Sequence, residues 1–143
     1  MQKFSRDSFN VNEAINELMH ESGVIVIKNA YNLNDIKEAR EIVNHFADTE
    51  EQKETHFNAE AEASKQIKLQ QRIWNLFGKG DIFSKLISDD IIFSLMSKLL
   101  GSEFFCGSYC ASRLLPGSLG QELHIDYPYW DFYNSETFPM GLN

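Results

Sequence analysis

The order in which apolar patterns change along the chain is the feature that most constrains its fold. Through most of the first hundred residues, apolar side chains recur at helical spacing, with two strand-like runs between the helices. From Phe104 onward they instead form alternating runs, broken by the turn sequence Pro116-Gly117. Helical spacing predicts amphipathic helices, whereas alternation predicts half-buried strands. We therefore predict an α+β protein in which amino-terminal helices pack on an antiparallel sheet.

Four helical stretches have recognisable boundary residues. Side chains that accept hydrogen bonds from the first turn favour helix starts, and glycine favours helix ends. The residues predicted to begin or end these helices are Asn10 or Asn12, Gly23, Asn32 or Asn34, Asp81, the Ser88-Asp89-Asp90 segment and Gly101.

Four segments have the residue pattern of strands. The β-branched run Val24–Ile27 predicts a buried strand, and alternation within Ile67–Phe77 predicts a half-buried one. Phe104–Leu115 is predicted to be a long strand and Gln121–Tyr127 the strand after the turn. The polar stretch Asp48–Lys68 fits either a solvated connection or a lid over a cleft, and the solvated connection is the simpler interpretation.

Composition places the chain among single-domain soluble proteins. Its 143 residues are 43% hydrophobic and 24% charged, and the formal net charge is -8. Because a nucleic-acid interface needs a basic patch, this charge argues against one. The apolar runs are too short to cross a bilayer and the first ten residues lack a secretory pattern, so we expect no membrane partner and a cytoplasmic location. Cys106 and Cys110 are expected to be buried, reduced thiols.

The tripeptide His124-Ile125-Asp126 carries the clearest chemical signal. On a strand, alternation turns His124 and Asp126 to one face, while Leu123 and Ile125 face the opposite layer. One imidazole and one carboxylate are two-thirds of the two-histidine, one-carboxylate set that holds divalent iron. No histidine follows His124, and a hydrogen-bonded His-Asp pair at the surface remains an alternative.

The other three histidines are weaker candidates. His20 and His45 are predicted to lie near helix ends, where a cation is favoured, and His56 falls in the polar stretch. We therefore expect all three to be structural or solvated.

Several motifs in the second half of the chain form a recognisable set: Ser112-Arg113, Pro116-Gly117, His124-Ile125-Asp126-Tyr127 and Trp130. The first half has a helix, a Gly-Val-Ile-Val-Ile strand and a second helix after Asn34-Asp35. These motifs and this layout resemble those of the phytanoyl-CoA dioxygenase-like (PhyH) family of iron- and 2-oxoglutarate-dependent oxygenases.

The resemblance implies a jelly-roll barrel, the double-stranded β-helix, with iron inside its mouth. His124 and Asp126 would be iron ligands, and Trp130 would lie near a small-molecule substrate of unknown identity. In such enzymes 2-oxoglutarate chelates Fe(II) and is converted to succinate and carbon dioxide as the substrate is hydroxylated. Some family members have lysine where this chain has Leu115.

The family's second histidine and its 2-oxoglutarate-binding arginine come tens of residues after the first motif. Only 17 residues follow Asp126, and none is His or Arg. We therefore expect residues 1–143 to be the front half of a PhyH-like domain, incomplete at its carboxyl end and inactive in isolation. A homo-oligomer covering the incomplete barrel is expected if the isolated chain is stable.

Two other functions fit the same sequence. One is a non-catalytic domain that keeps the front half of the fold and binds a partner or ligand. The other is an enzyme whose site is completed between subunits, for instance by His56 of a neighbouring copy.

Overall fold

The computed structural model describes residues 1–51, 69–118 and 120. This part of the chain holds four α-helices and two small sheets, in agreement with the predicted helix-and-sheet composition. The elements in chain order are β1 (Gln2–Ser5), α1 (Val11–His20), β2 (Ile25–Lys28), α2 (Leu33–Thr49), β3 (Gln70–Ile73), α3 (Asp81–Ile87), α4 (Asp90–Leu100) and β4 (Ala111–Leu114).

The helix boundaries follow the predicted capping residues. The Asn10 side chain accepts hydrogen bonds from the backbone of the second and third residues of α1. Asn32 and Asp89 each accept one from the second residue of α2 and α4, at 2.8 and 3.0 Å. Gly101 ends α4 at φ +87°, a backbone conformation that favours glycine.

The first sheet pairs β1 with β2 in parallel, and Phe4 lies opposite Ile27. Phe4 is buried, whereas Val24 and Val26 are 51% and 37% exposed. The predicted strand at Val24–Ile27 is confirmed as β2, but the prediction that it is buried is wrong. Only one face of β2 packs on the core, because the short strand β1, which the sequence analysis did not predict, extends the sheet without covering its other face.

The second sheet pairs β3 with β4 in antiparallel register, and Ile73 lies opposite Ala111. The predicted long strand Phe104–Leu115 is confirmed only in its last third, since residues 102–110 have no strand structure. Phe105 in this stretch is 88% exposed. A strand is stabilised by a hydrogen-bonded neighbour, and no described strand lies beside this segment.

Among the described residues, the buried apolar side chains fall into two groups. The larger joins α2, β3 and α3, and the smaller joins β1, α1 and α4. The buried members of the larger group are Ala39, Ala47, Ile73, Leu76, Ile82, Phe83 and Leu86. The smaller group consists of Phe4, Ala14 and Leu95, surrounded by partly buried apolar side chains.

Some predicted features lie outside the described residues. These are most of the polar stretch Asp48–Lys68 and the whole predicted strand Gln121–Tyr127. Within the described ranges, no helix has the length and apolar character needed to cross a membrane. Both cysteines are free, but Cys106 is exposed and Cys110 only partly buried, so the prediction that both are buried is wrong.

Candidate functional site

The predicted iron ligands His124 and Asp126, and Trp130 with them, lie outside the described residues. Within residues 1–51, 69–118 and 120, no three side chains of the metal-binding types come together. His20 and His45 lie exposed near the ends of α1 and α2, as predicted. What the structure describes is the sheet and the turn that lead to the predicted metal motif.

The turn after β4 is hydrogen-bonded to Leu69, the residue directly before β3. The Leu115 backbone N–H donates to the Leu69 carbonyl at 2.8 Å, and the Ser118 hydroxyl donates to the same oxygen at 2.7 Å. Gly117 has φ +90°, a backbone conformation in which any residue with a side chain would be strained. The Pro116-Gly117 turn is therefore present, as predicted, and it has a defined position at the end of the β3–β4 sheet.

One face of the β3–β4 sheet packs on α2, and we call it the helix face. It carries Gln71 and Ile73 from β3 and, directly opposite, Arg113 and Ala111 from β4. Ile73 is completely buried, and the Gln71 side-chain amide donates to the Ala47 carbonyl of α2 at 3.2 Å. The predicted alternation is confirmed here, since these residues face the interior.

Arg113 bonds three side chains, one on the helix face and two on α2. Its Nε donates to Gln71 Oε1 at 2.6 Å, its Nη1 donates to Asn44 Oδ1 at 3.2 Å, and its Nη2 pairs with Asp48. The hydrogen bond from Arg113 holds the pKa of Asp48 below its usual value. In the sequence, Arg113 is conspicuous only as part of the motif Ser112-Arg113. The structure shows that it is an anchor for β4.

The opposite face, which we call the open face, has a different character. It carries Arg72, with Trp74 two residues further along the chain, and Ser112 and Leu114 on β4. Trp74 is 46% exposed and Leu114 is 65% exposed. Gln70, at the Leu114 end, is buried, so the face is uncovered mainly from Leu114 and Ser112 toward Trp74.

The Arg72 side chain on the open face contacts both Trp74 and Cys110. Its guanidinium carbon lies 4.7 Å from the centre of the Trp74 ring, and its Nε donates to Cys110 Sγ at 3.2 Å. A cation over an indole face is attracted by the negative face of the ring. Ser112, exposed, lies directly opposite Arg72 in the strand pairing. The open face therefore places a guanidinium, a hydroxyl and an aromatic wall side by side.

A cavity of about 250 Å³ lies elsewhere, between the start of α2 and the junction of α3 and α4. Two ion pairs border it: Arg6 with Asp89 at 2.6 Å, and Lys85 with Asp35 at 2.7 Å. Arg6 also donates to the Ala30 carbonyl at 2.9 Å. Because these charges cancel in pairs, we interpret the cavity as a structural junction between the two groups of buried residues.

The comparisons with known proteins give no assignment. No protein-family model, no curated protein sequence and no solved structure matches this chain.

Proposed function

We propose that residues 1–143 belong to an iron- and 2-oxoglutarate-dependent oxygenase domain of the PhyH type. In this proposal His124 and Asp126 hold Fe(II), and Trp130 lies near a small-molecule substrate. The β3–β4 sheet forms part of a jelly-roll barrel. A cytoplasmic location belongs to the same proposal, as does the absence of a nucleic-acid partner.

The observation that carries the proposal is the two-sided β3–β4 sheet. In a jelly roll, two sheets face each other across an interior, and their outer faces pack on other layers. The helix face already packs on α2, with Ile73 completely buried. The open face, with Trp74 and Leu114 exposed, is the one that a second sheet would cover.

The residues after β4 have the composition that this interior would need. The turn at Gly117 leads toward the predicted strand Gln121–Tyr127, on which His124 and Asp126 share one side. A neutral imidazole and a carboxylate are suitable ligands for divalent iron. Bound iron would supply the oxidising chemistry, and the contribution of His124 and Asp126 is to hold it while other positions stay open to 2-oxoglutarate and oxygen.

Metal titration of the purified full chain tests the proposal. Under anaerobic conditions we expect Fe(II), or Co(II) followed by its visible spectrum, to bind with a dissociation constant weaker than about 1 μM, because the chain supplies two ligands. His124→Ala and Asp126→Ala should each abolish this binding. His20→Ala, an exposed histidine on α1, is the matched control and should leave it unchanged.

The alternative results are equally informative. Binding that survives both His124→Ala and Asp126→Ala, or no binding at millimolar metal, would refute the proposed site. Tight stoichiometric binding lost in both variants would support the site and overturn the expectation that the chain supplies only two ligands.

A second candidate function is a non-catalytic interaction domain, and the exposed apolar side chains favour it. Phe105 is 88% exposed and Leu33 is 84% exposed, and Phe93 beside Phe104 is half exposed. Large exposed apolar side chains, when contiguous, mark contacts with other proteins. A homo-oligomer would cover such residues, and light scattering coupled to size-exclusion chromatography distinguishes it from a monomer. A monomer that also binds no metal would leave a contact with a different protein as the function to test.

A further inference from the structure

We infer that the outward face of the β1–β2 sheet is a docking surface for a short amphipathic helix of a partner protein, one with an apolar stripe and acidic residues beside it. The face carries Lys3 and Ser5 from β1 and, directly opposite, Val26 and Lys28 from β2, and we call it the lysine face. The inference goes beyond the proposed oxygenase function and uses none of its residues.

The lysine face is exposed in a kind of sheet that is usually covered. β1 and β2 are parallel, and parallel sheets in proteins nearly always pack other layers on both faces. The inner face does so, since Phe4 is buried with residues of α1 and α4 in the smaller buried group. On the outer face Lys3, Val26 and Lys28 are all exposed. This face therefore has room for a further layer.

Apolar side chains occupy one end of the lysine face. Met1 and Val24 directly precede β1 and β2, and they are 64% and 51% exposed. Because every second residue of a strand lies on the same side, Met1 and Val24 continue the face beyond Lys3 and Val26. Neighbouring exposed apolar side chains of this kind mark a contact with another molecule.

The two lysines determine the charge that the partner must carry. Neither Lys3 nor Lys28 forms an ion pair or a side-chain hydrogen bond with any residue that the structure describes. They lie on one face of the same sheet, although the whole chain has a net charge of -8. Carboxylates of a partner would pair with them, and opposite charges also speed the encounter of two proteins.

Other occupants suit the lysine face less well. In a two-fold symmetric dimer through this face, Lys3 and Lys28 would meet the same two lysines, and such like charges oppose association. Anionic membranes attract clusters of about four to eight basic residues, whereas this face has two. The net charge of -8 would add repulsion from such a membrane.

The dimensions of the face match one short helix. β1 and β2 have four residues each, which at about 3.3 Å per residue gives a length of about 13 Å. A helix of about nine residues has the same length. Two strands about 4.8 Å apart leave width for one helix and not for two, whose axes would lie about 8–10 Å apart.

The experiment measures the fluorescence anisotropy of a labelled synthetic peptide of about 14 residues as the full chain is added. Its leucines form one stripe at helical spacing, glutamates flank them, and alanines fill the remaining positions. Two comparison peptides replace the glutamates by lysines or the leucines by serines. Because the contact is small, we expect a dissociation constant of about 0.05–1 mM for the acidic peptide. Each comparison peptide should bind at least about 5-fold more weakly.

Charge-matched variants test the lysines. Lys3→Gln combined with Lys28→Gln should weaken binding of the acidic peptide at least about 5-fold and reduce its dependence on salt. Lys37→Gln combined with Lys98→Gln makes the same change in net charge at exposed positions of α2 and α4. This control should change the affinity less than about 2-fold.

A second pair of substitutions tests the apolar end. Val24→Thr combined with Val26→Thr keeps the branched shape that suits a strand but adds two hydroxyl groups, and it should weaken binding at least about 3-fold. Amide hydrogen exchange locates the peptide, which at saturation should slow exchange in β1 and β2 and leave β3 unchanged.

Several results would overturn the inference. It is wrong if the acidic peptide does not bind at millimolar concentration, or if the lysine peptide binds as tightly. It is also wrong if the variant of Lys3 and Lys28 binds like the unmodified chain, or if the control variant of Lys37 and Lys98 loses as much affinity. Circular dichroism checks that each variant folds, and the lysine variants decide the question if the valine variant does not fold.

Two further measurements would assign the face to a different occupant and so overturn the inference. One is binding to vesicles of equal parts phosphatidylglycerol and phosphatidylcholine that depends on Lys3 and Lys28 while the peptide does not bind. The other is a dimer of the unmodified chain that Lys3→Gln combined with Lys28→Gln converts to monomers.

These results are separable from those of the metal titration. Peptide binding that depends on Lys3 and Lys28, without metal binding at His124, would refute the oxygenase proposal and leave the docking surface intact. Metal binding at His124 without any peptide binding would do the reverse.

Discussion

Truncating one residue on each face of the β3–β4 sheet tests the central structural claim, that only the helix face is buried. Ile73→Ala and Leu114→Ala each remove three carbon atoms from a strand residue. Ile73 is completely buried, whereas Leu114 is 65% exposed. The two changes delete equal amounts of apolar material. The difference between their losses of unfolding free energy therefore measures how far each face is covered.

The expected magnitudes follow from these exposures. At about 0.8 kcal/mol for each buried carbon, Ile73→Ala loses about 2.4 kcal/mol of transfer free energy. The cavity left behind adds to this, so we expect about 3–4 kcal/mol, inside the usual range for such truncations. Leu114→Ala deletes atoms that are mostly in water already, and we expect a loss below about 1 kcal/mol.

The measurement is urea unfolding of both variants and the unmodified chain, followed by far-ultraviolet circular dichroism and extrapolated linearly to water. Ile73→Val, which removes a single carbon, is an internal calibration and should cost about 1 kcal/mol. If Leu114→Ala destabilises the protein as much as Ile73→Ala does, the open face is covered in solution and the claim that it is exposed is wrong.

Three further predictions concern charge and capping. Arg113→Gln should lower the free energy of unfolding at pH 7, and the difference from the unmodified chain should shrink as the pH falls below 3.8, the ordinary pKa of Asp48. The hydrogen bond from Arg113 lowers the pKa of Asp48 in the folded protein, so the stabilisation is present at higher pH and is lost as the carboxyl is protonated. Denaturation curves at several pH values measure this loss of stability. Burial raises the pKa of Tyr109 above 10.0, so its ionisation should destabilise the fold above that pH, and Tyr109→Phe should remove a late step from the tyrosinate absorbance titration. Asp89→Ala removes both the cap of α4 and the ion pair with Arg6, and it should lower the free energy of unfolding by about 1–3 kcal/mol. Asp89→Asn keeps the capping oxygen and should lower it less. Thermal unfolding of the two variants measures the difference. Equal losses in the two Asp89 variants would mean that the ion pair, and not the cap, is the important contact.

Local chemistry made the helices predictable from the sequence. Asn10, Asn32 and Asp89 accept backbone hydrogen bonds at the positions where the sequence analysis expected caps. Such caps depend on residues within one helical turn, so no information about distant contacts is needed to find them. The alternation that placed Ile73 on the buried side of β3 is equally local.

The strands were less predictable because pairing depends on residues far apart in the chain. β1 has only four residues and is a strand because it pairs with β2, more than twenty positions later. Phe104–Leu115 has a strand-like sequence, yet only Ala111–Leu114 pairs, because β3 is also four residues long. Propensity indicates which residues suit a strand, whereas the partner determines how many of them form one.

The candidate site also has one part that local sequence predicts and another that depends on strand pairing. The spacing of His124 and Asp126 is a sequence observation and remains a prediction. The contact of the Arg72 guanidinium with the Trp74 ring was not anticipated, although the alternation within Ile67–Phe77 puts both residues on the same side of the predicted strand. The contact to Cys110 depends on the β3–β4 register, which the sequence analysis did not predict.

The division of the interior into two groups of buried residues has a consequence for how this protein opens in solution. In the part of the chain that the structure describes, the group around Phe4, Ala14 and Leu95 has three buried members and the group around Ile73 has seven. Part of the boundary of the smaller group is the four-residue strand β1. Amide hydrogen exchange should therefore occur in two stages, first in β1, α1 and β2 through partial opening events, and only near global unfolding in α2 and β3. Because the open face belongs to the slower-exchanging part, it would stay a fixed surface while the amino-terminal third of the chain opens and closes.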